Sequence, residues 1–114
     1  MVVTRLAEVW LQFKQAIHLK NSNGIILLGS YSTANLENKP VLSIYGSEDK
    51  ILNQEKYSKY KNNINSNLEE LIIPGGNHAF FGTYGFQKND GIAKISNKEQ
   101  ITITAQTISN FIFK

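Results

Sequence analysis

Pro40-Val-Leu-Ser-Ile-Tyr-Gly46, followed at once by Ser47-Glu-Asp49, is the stretch whose reading decides the fold. It is a short apolar run without polar–apolar alternation, closed by a glycine and an acid. Such a run suits a strand buried on both faces, as strands of a parallel sheet are. Two more runs share its character, Gly24-Ile-Ile-Leu-Leu-Gly-Ser30 before it and Leu68-Glu-Glu-Leu-Ile-Ile-Pro74 after it. Helical spacing fills the intervals. Leu6, Val9, Trp10, Phe13, Ala16 and Ile17 predict an amphipathic helix over 3–19, stopped by Asn21-Ser-Asn-Gly24. Over 53–64, Tyr57, Tyr60 and Ile64 share one face, with Lys56, Lys59 and Asn63 opposite and Asn53 at the N-cap position. Ser96-Asn-Lys-Glu99 has a capping-box pattern, and Ile101, Ala105, Ile108 and Ile112 continue behind it as a helix. The order helix, strand, strand, helix, strand, helix predicts an α/β fold with about three parallel strands.

The composition narrows the function classes. At 114 residues and 12.8 kDa the chain suits one small domain, and 41% hydrophobic with 18% charged residues reads as globular and soluble. Twelve Lys+Arg against nine Asp+Glu give a net charge of +3 and a pI near 9.2, too small and scattered an excess to imply nucleic acid. The absence of cysteine excludes a disulfide frame, a thiolate nucleophile and a Cys-based zinc site. Two histidines, His18 and His78, without matching carboxylate spacing, give no metal site and call for no cofactor. Arg5 and Glu8 stand where a secretory leader would be apolar. The run Ile25-Ile-Leu-Leu28 is far short of the roughly 20 residues that cross a bilayer. As written, the chain has no membrane segment and is expected in the cytoplasm.

In an open parallel sheet, functional groups collect in loops beyond the C-terminal strand ends. Three loops qualify: Ser30-Tyr-Ser-Thr33, Gly46-Ser-Glu-Asp-Lys50 and Gly75-Gly-Asn-His-Ala-Phe-Phe-Gly82. Asp49 and His78 each follow a strand by a few residues. A carboxylate and an imidazole on neighbouring strand tips can form an orienting pair, the acid accepting the Nδ1 proton and fixing the tautomer. Taken alone each reads more readily as a turn residue, and only the acid-then-histidine order on successive strands favours the pair. Gly75-Gly76 lacks the Lys-Ser/Thr of a phosphate loop, so the two glycines are expected to turn the chain and aim His78 over the sheet edge. The basic and aromatic residues of Lys56–Lys61 read as a packed tyrosine face with a solvated lysine face. Tyr31, Phe80, Phe81, Tyr84 and Phe86 are candidates for an apolar substrate wall, or plain core.

From Gly24 to about Phe113 the chain resembles the C-terminal half of α/β-hydrolase-fold serine hydrolases, with most likeness to the bacterial dienelactone hydrolase and carboxylesterase branch. The residues that carry it are Gly24–Tyr31, Pro40-Val-Leu-Ser-Ile-Tyr-Gly-Ser-Glu-Asp49, Gly75-Gly-Asn-His-Ala79, Phe81-Gly-Thr-Tyr-Gly-Phe-Gln87, Asn89-Asp-Gly91 and Ile95–Gln100. The resemblance implies a partial α/β-hydrolase fold, with Asp49 as the triad acid, His78 as the general base and an ester-type small-molecule substrate, a carboxylic ester or lactone. Of the aromatic candidates, Tyr31, Phe80 and Phe81 are the expected substrate contacts. The family's third residue is a serine in a Gly-x-Ser-x-Gly elbow between an upstream strand and helix. No such elbow occurs here, and Arg5 stands near where the serine should be.

The resemblance therefore implies a truncated enzyme: residues 1–23 a degenerate helix after a lost elbow, residues 24–114 the half that carries acid and histidine. Read two nucleotides later, synonymous codons for Met1–Leu11 permit Gly-Gly-His-Ser-Leu-Gly-Gly-Gly-Met-Ala, so a frameshift over the elbow is expected. The gene's nucleotide sequence tests that expectation, which fails if no alternate frame encodes Gly-x-Ser-x-Gly. The parent enzyme could then be anchored or exported through a missing N-terminus. A competing reading is a non-catalytic module that self-associates, or takes up an upstream fragment, through an open edge at Ile25–Gly29.

Overall fold

The computed structural model describes residues 2–4, 25–32, 40–63, 68–82 and 87–112. Its centre is one parallel sheet of four strands in sequential order: β1 (Val2–Thr4), β2 (Ile25–Leu28), β3 (Val41–Gly46) and β4 (Leu68–Ile73). The three apolar runs thus fall where expected. The fourth strand corrects the reading of the N-terminus, because residues 3 and 4 are strand and not the start of a helix. Val2-Val-Thr4 is β-branched throughout and pairs residue for residue with Ile25–Leu27. The rest of the helix predicted over 3–19, with His18, lies outside the described residues.

β3 sits between β2 and β4, and every residue of it but Tyr45 is buried. Alternation then sorts the side chains onto two faces. Ile26, Leu28, Leu42, Ile44 and Ile73 form the main core with Phe81 and with Ile101 and Ile108 of α2 (Asn97–Ile112). On the other face, Ile25, Leu27 and Val41 cluster, and Ser43 meets Tyr57 of α1 (Gln54–Tyr60). β4 pairs with β3 alone among the described residues, and Glu69, Glu70 and Ile72 leave it largely uncovered; only Ile73 is buried.

The helix ends follow their caps. Asn53 Oδ1 accepts the Lys56 N–H at 2.9 Å, and a 3₁₀ turn over Lys61–Asn63 closes the segment beyond α1. Ser96 Oγ accepts the Glu99 N–H at 3.0 Å, while its hydroxyl meets the Glu99 carboxylate at 3.3 Å. That variant of the capping box starts α2 where the sequence pattern puts it. Among the described residues no helix is long and apolar enough to cross a membrane.

The register sets the place of the site. Gly46 pairs with Ile73, and the Gly29 N–H donates to Ile44 at 2.8 Å. The segments leaving β2, β3 and β4 therefore emerge side by side at one edge.

Candidate active site

The turn after β3 builds the acid. Asp49 Oδ1 accepts the backbone N–H groups of Ile51 at 2.9 Å and Leu52 at 2.8 Å, the bonding of an Asx turn. That leaves Oδ2, which meets His78 Nδ1 at 2.8 Å with the side chains 0% and 7% exposed. Turn-former and orienting acid are one residue here, with a separate oxygen for each task. A carboxylate only accepts, so Nδ1 donates the shared proton.

His78 is delivered by the loop after β4. Gly75, at φ +80°, turns the chain out of the strand as the glycine pair predicts. Asn77 then anchors the loop: its side chain accepts the Phe80 N–H at 2.9 Å and donates to the Gly91 carbonyl at 3.0 Å. Its backbone is gripped from both sides by the wholly buried Gln100 amide of α2, which accepts the Asn77 N–H at 3.1 Å and donates to its carbonyl at 2.8 Å.

Two further residues shape the pair. Gly29, at φ +59°, lies against it: a Cβ there would stand 3.0 Å from His78 Nδ1 and 3.1 Å from Asp49 Oδ2. Only a residue without a side chain leaves the acid–histidine bond undisturbed. Asp90 is buried behind the histidine loop and accepts the N–H groups of Lys50, His78, Ala79 and Gly91.

The structure thus brings Asp49 and His78 together and scatters the aromatic candidates. Phe81 is 1% exposed within the main core, a correction to its reading as a substrate contact, because a 3₁₀ turn over Ala79–Phe81 directs it inward. Tyr31 stacks on Tyr60 of α1, ring centroids 5.3 Å apart and planes 7° off parallel. Both border a shallow surface depression with Leu27, Ser43, Tyr57 and Lys61, which includes neither Asp49 nor His78. Phe80, two residues after His78 in the chain, is half-buried. Tyr84 and Phe86 lie outside the described residues. Gly29, Asp90 and Gln100 were not singled out from sequence; the signals available were a glycine at a strand end and the Asn89-Asp-Gly91 turn.

On α1, Tyr57 donates to the Glu70 carboxylate and shares a 2.7 Å hydrogen bond with Ser43. Burial first, and then the bond to Glu70, push its hydroxyl well above the ordinary tyrosine range. Burial, with Glu70 second, also raises Tyr45. Among the described residues no group of three or more His, Asp or Glu side chains could hold a metal ion.

The model of a family described as the alpha/beta hydrolase family matches residues 11–102. The crystal structure of a predicted CIB-like hydrolase from Thermoplasma acidophilum aligns at 20% identity and a TM-score of 0.44, over 90% of this chain and 44% of that one. The chain therefore spans less than half the length of that structure. No curated protein matches it.

Proposed function

The chain belongs to the α/β-hydrolase family, and from that premise we propose that it carries the acid and base of a Ser-His-Asp site for ester-type bonds, without the nucleophile. The family's fold suggests hydrolase activity. The observation that supports this reading is the buried 2.8 Å contact between Asp49 Oδ2 and His78 Nδ1. His78 Nε2 takes the proton of an attacking serine, Asp49 stabilises the resulting imidazolium, and the proton passes on to the leaving alcohol. Water, activated by the same nitrogen, then releases the acyl group. Phe80, half-buried two residues after His78, is the aromatic we assign to touch substrate.

No serine of this chain stands in a Gly-x-Ser-x-Gly elbow. β1 pairs alongside β2, where the nucleophile strand runs in the family, and the residue after it is Arg5. The chain alone is expected to be inactive. The purified chain is incubated with a short-chain p-nitrophenyl ester and a fluorophosphonate probe. Neither turnover above buffer nor serine labelling is expected. Rapid turnover, with labelling lost on replacing one serine, would contradict the proposal.

The competing reading of a non-catalytic associating module loses its first ground, because β1 occupies the β2 edge that was expected to be open. Its remaining ground is the outer edge of β1, a three-residue strand.

A further inference from the structure

We propose that Asp90 is the positioning residue of this site, a buried carboxylate that locks the histidine loop to the acid loop and so sets the Asp49–His78 bond. The inference rests on the reading of that pair as a catalytic acid and base. Three observations carry it.

First, the bonds of Asp90 converge on both functional loops. Oδ1 accepts the His78 N–H at 3.2 Å and the Lys50 N–H at 3.3 Å, from residues on the two sides of the pair. Oδ2 accepts the Ala79 N–H at 2.9 Å, and Oδ1 also takes its neighbour Gly91 at 2.7 Å. The carboxylate thus satisfies four backbone donors, including that of the histidine itself and that of the residue after the acid. Second, Asp90 is 7% exposed, and no Lys, Arg or His side chain pairs with it among the described residues. A buried carboxylate held by backbone N–H groups alone is costly unless all of them stay in place, so it resists movement of either loop.

Third, the turn that carries Asp90 is built for close approach. Asn89 adopts φ 70°, and a Cβ at Gly91 would fall 1.8 Å from the Glu48 carbonyl oxygen. Only glycine lets this turn press against the acid loop. Gly91 O is also held by Asn77, the residue before the histidine. Asp90 does not reach the histidine ring; it acts through the backbone of His78 and Lys50.

The test uses the full chain labelled with ¹⁵N. The far-downfield ring N–H proton of His78 reports the bond to Asp49. Asp90→Asn keeps the shape and one acceptor oxygen, whereas Asp90→Ala removes both. The expected order of that proton's protection from solvent exchange is wild type above Asn above Ala. Each step should be roughly tenfold or more, as losing a charge-assisted hydrogen bond implies. Folding of each variant is checked by its far-ultraviolet circular dichroism. A folded Asp90 variant with the wild-type His78 proton, unshifted and equally protected, would overturn the proposal. Should the Ala variant not fold, the Asn variant decides.

Amide exchange in the wild-type chain tests the same point without any substitution. The His78, Ala79 and Gly91 amides are expected to be protected, and fast exchange at all three also overturns the role of Asp90. If the wild type shows no downfield proton while those amides are protected, the reading of the pair fails and the lock survives.

Discussion

Asp49 divides its two oxygens between a turn and a histidine, and that division makes the pair rigid. An acid held by two backbone N–H groups cannot swing away from the imidazole without orphaning them. Gly29 is the residue on which this arrangement is most exposed to change. Gly29→Ala adds a methyl 3.0 Å from His78 Nδ1 at a φ of +59°. The expected cost is about 1–3 kcal/mol of stability, read from the denaturant midpoint, with a shifted His78 ring proton. Unchanged stability and an unchanged ring proton would show that the site has slack that the geometry denies. Asp49 and His78 were legible in sequence because their chemistry and their order on successive strand ends are local facts. Gly29 was not, since the space it vacates is defined by residues 20 and 49 positions away. The same holds for Phe81: nothing in the order of residues tells an inward aromatic from an outward one, and a 3₁₀ turn decided it.

At the scale of elements, α1 and α2 each contribute a buried polar contact that apolar periodicity does not reveal. Gln100 and Thr104 share the inner face of α2 with Ile101 and Ile108, and both are 0% exposed. Gln100 occupies that face because Asn77 needs both of its backbone groups satisfied. Gln100→Leu should therefore destabilise the chain despite its greater apolarity, by about 1–3 kcal/mol for each orphaned backbone group. A midpoint equal to or above wild type in urea would contradict this. On α1, Tyr57 predicts an alkaline limit. Unfolded, its hydroxyl ionises near pH 10, roughly the ordinary tyrosine value; folded, it keeps its proton to higher pH. The stability due to this difference is present below about pH 10 and falls as pH rises through the folded value. Tyr57→Phe should lose about 1 kcal/mol at neutral pH. Its melting temperature should also fall less than wild type between pH 9 and 11, within the range roughly set by tyrosine ionisation. Parallel alkaline slopes would refute that assignment. The strand runs and caps were legible because period and punctuation are local signals. β1 was not, because the apolar residues after it suggested helical spacing, and its strand form depends on pairing with β2.

Taken whole, the described residues form a four-stranded parallel sheet with the candidate loops at one edge, the arrangement that α/β sheets use for sites. The α/β class and the order of the later elements followed from sequence. The sheet's fourth strand and the polar scaffold of Asn77, Asp90 and Gln100 came only with the fold, since each joins segments distant in the chain. Association through the outer edge of β1 predicts a protein that elutes as a dimer or larger in size-exclusion chromatography with light scattering; a monodisperse monomer removes that reading. The proposed roles require that Asp49 accept from His78 Nδ1 and leave Nε2 to act as the base. The most direct measurement is the ¹⁵N spectrum of the His78 ring at neutral pH, with Asp49→Asn as the reference. A proton on Nδ1, an unprotonated Nε2 and loss of that pattern in the variant are expected. A neutral His78 with its proton on Nε2, or one indifferent to Asp49, would contradict those roles.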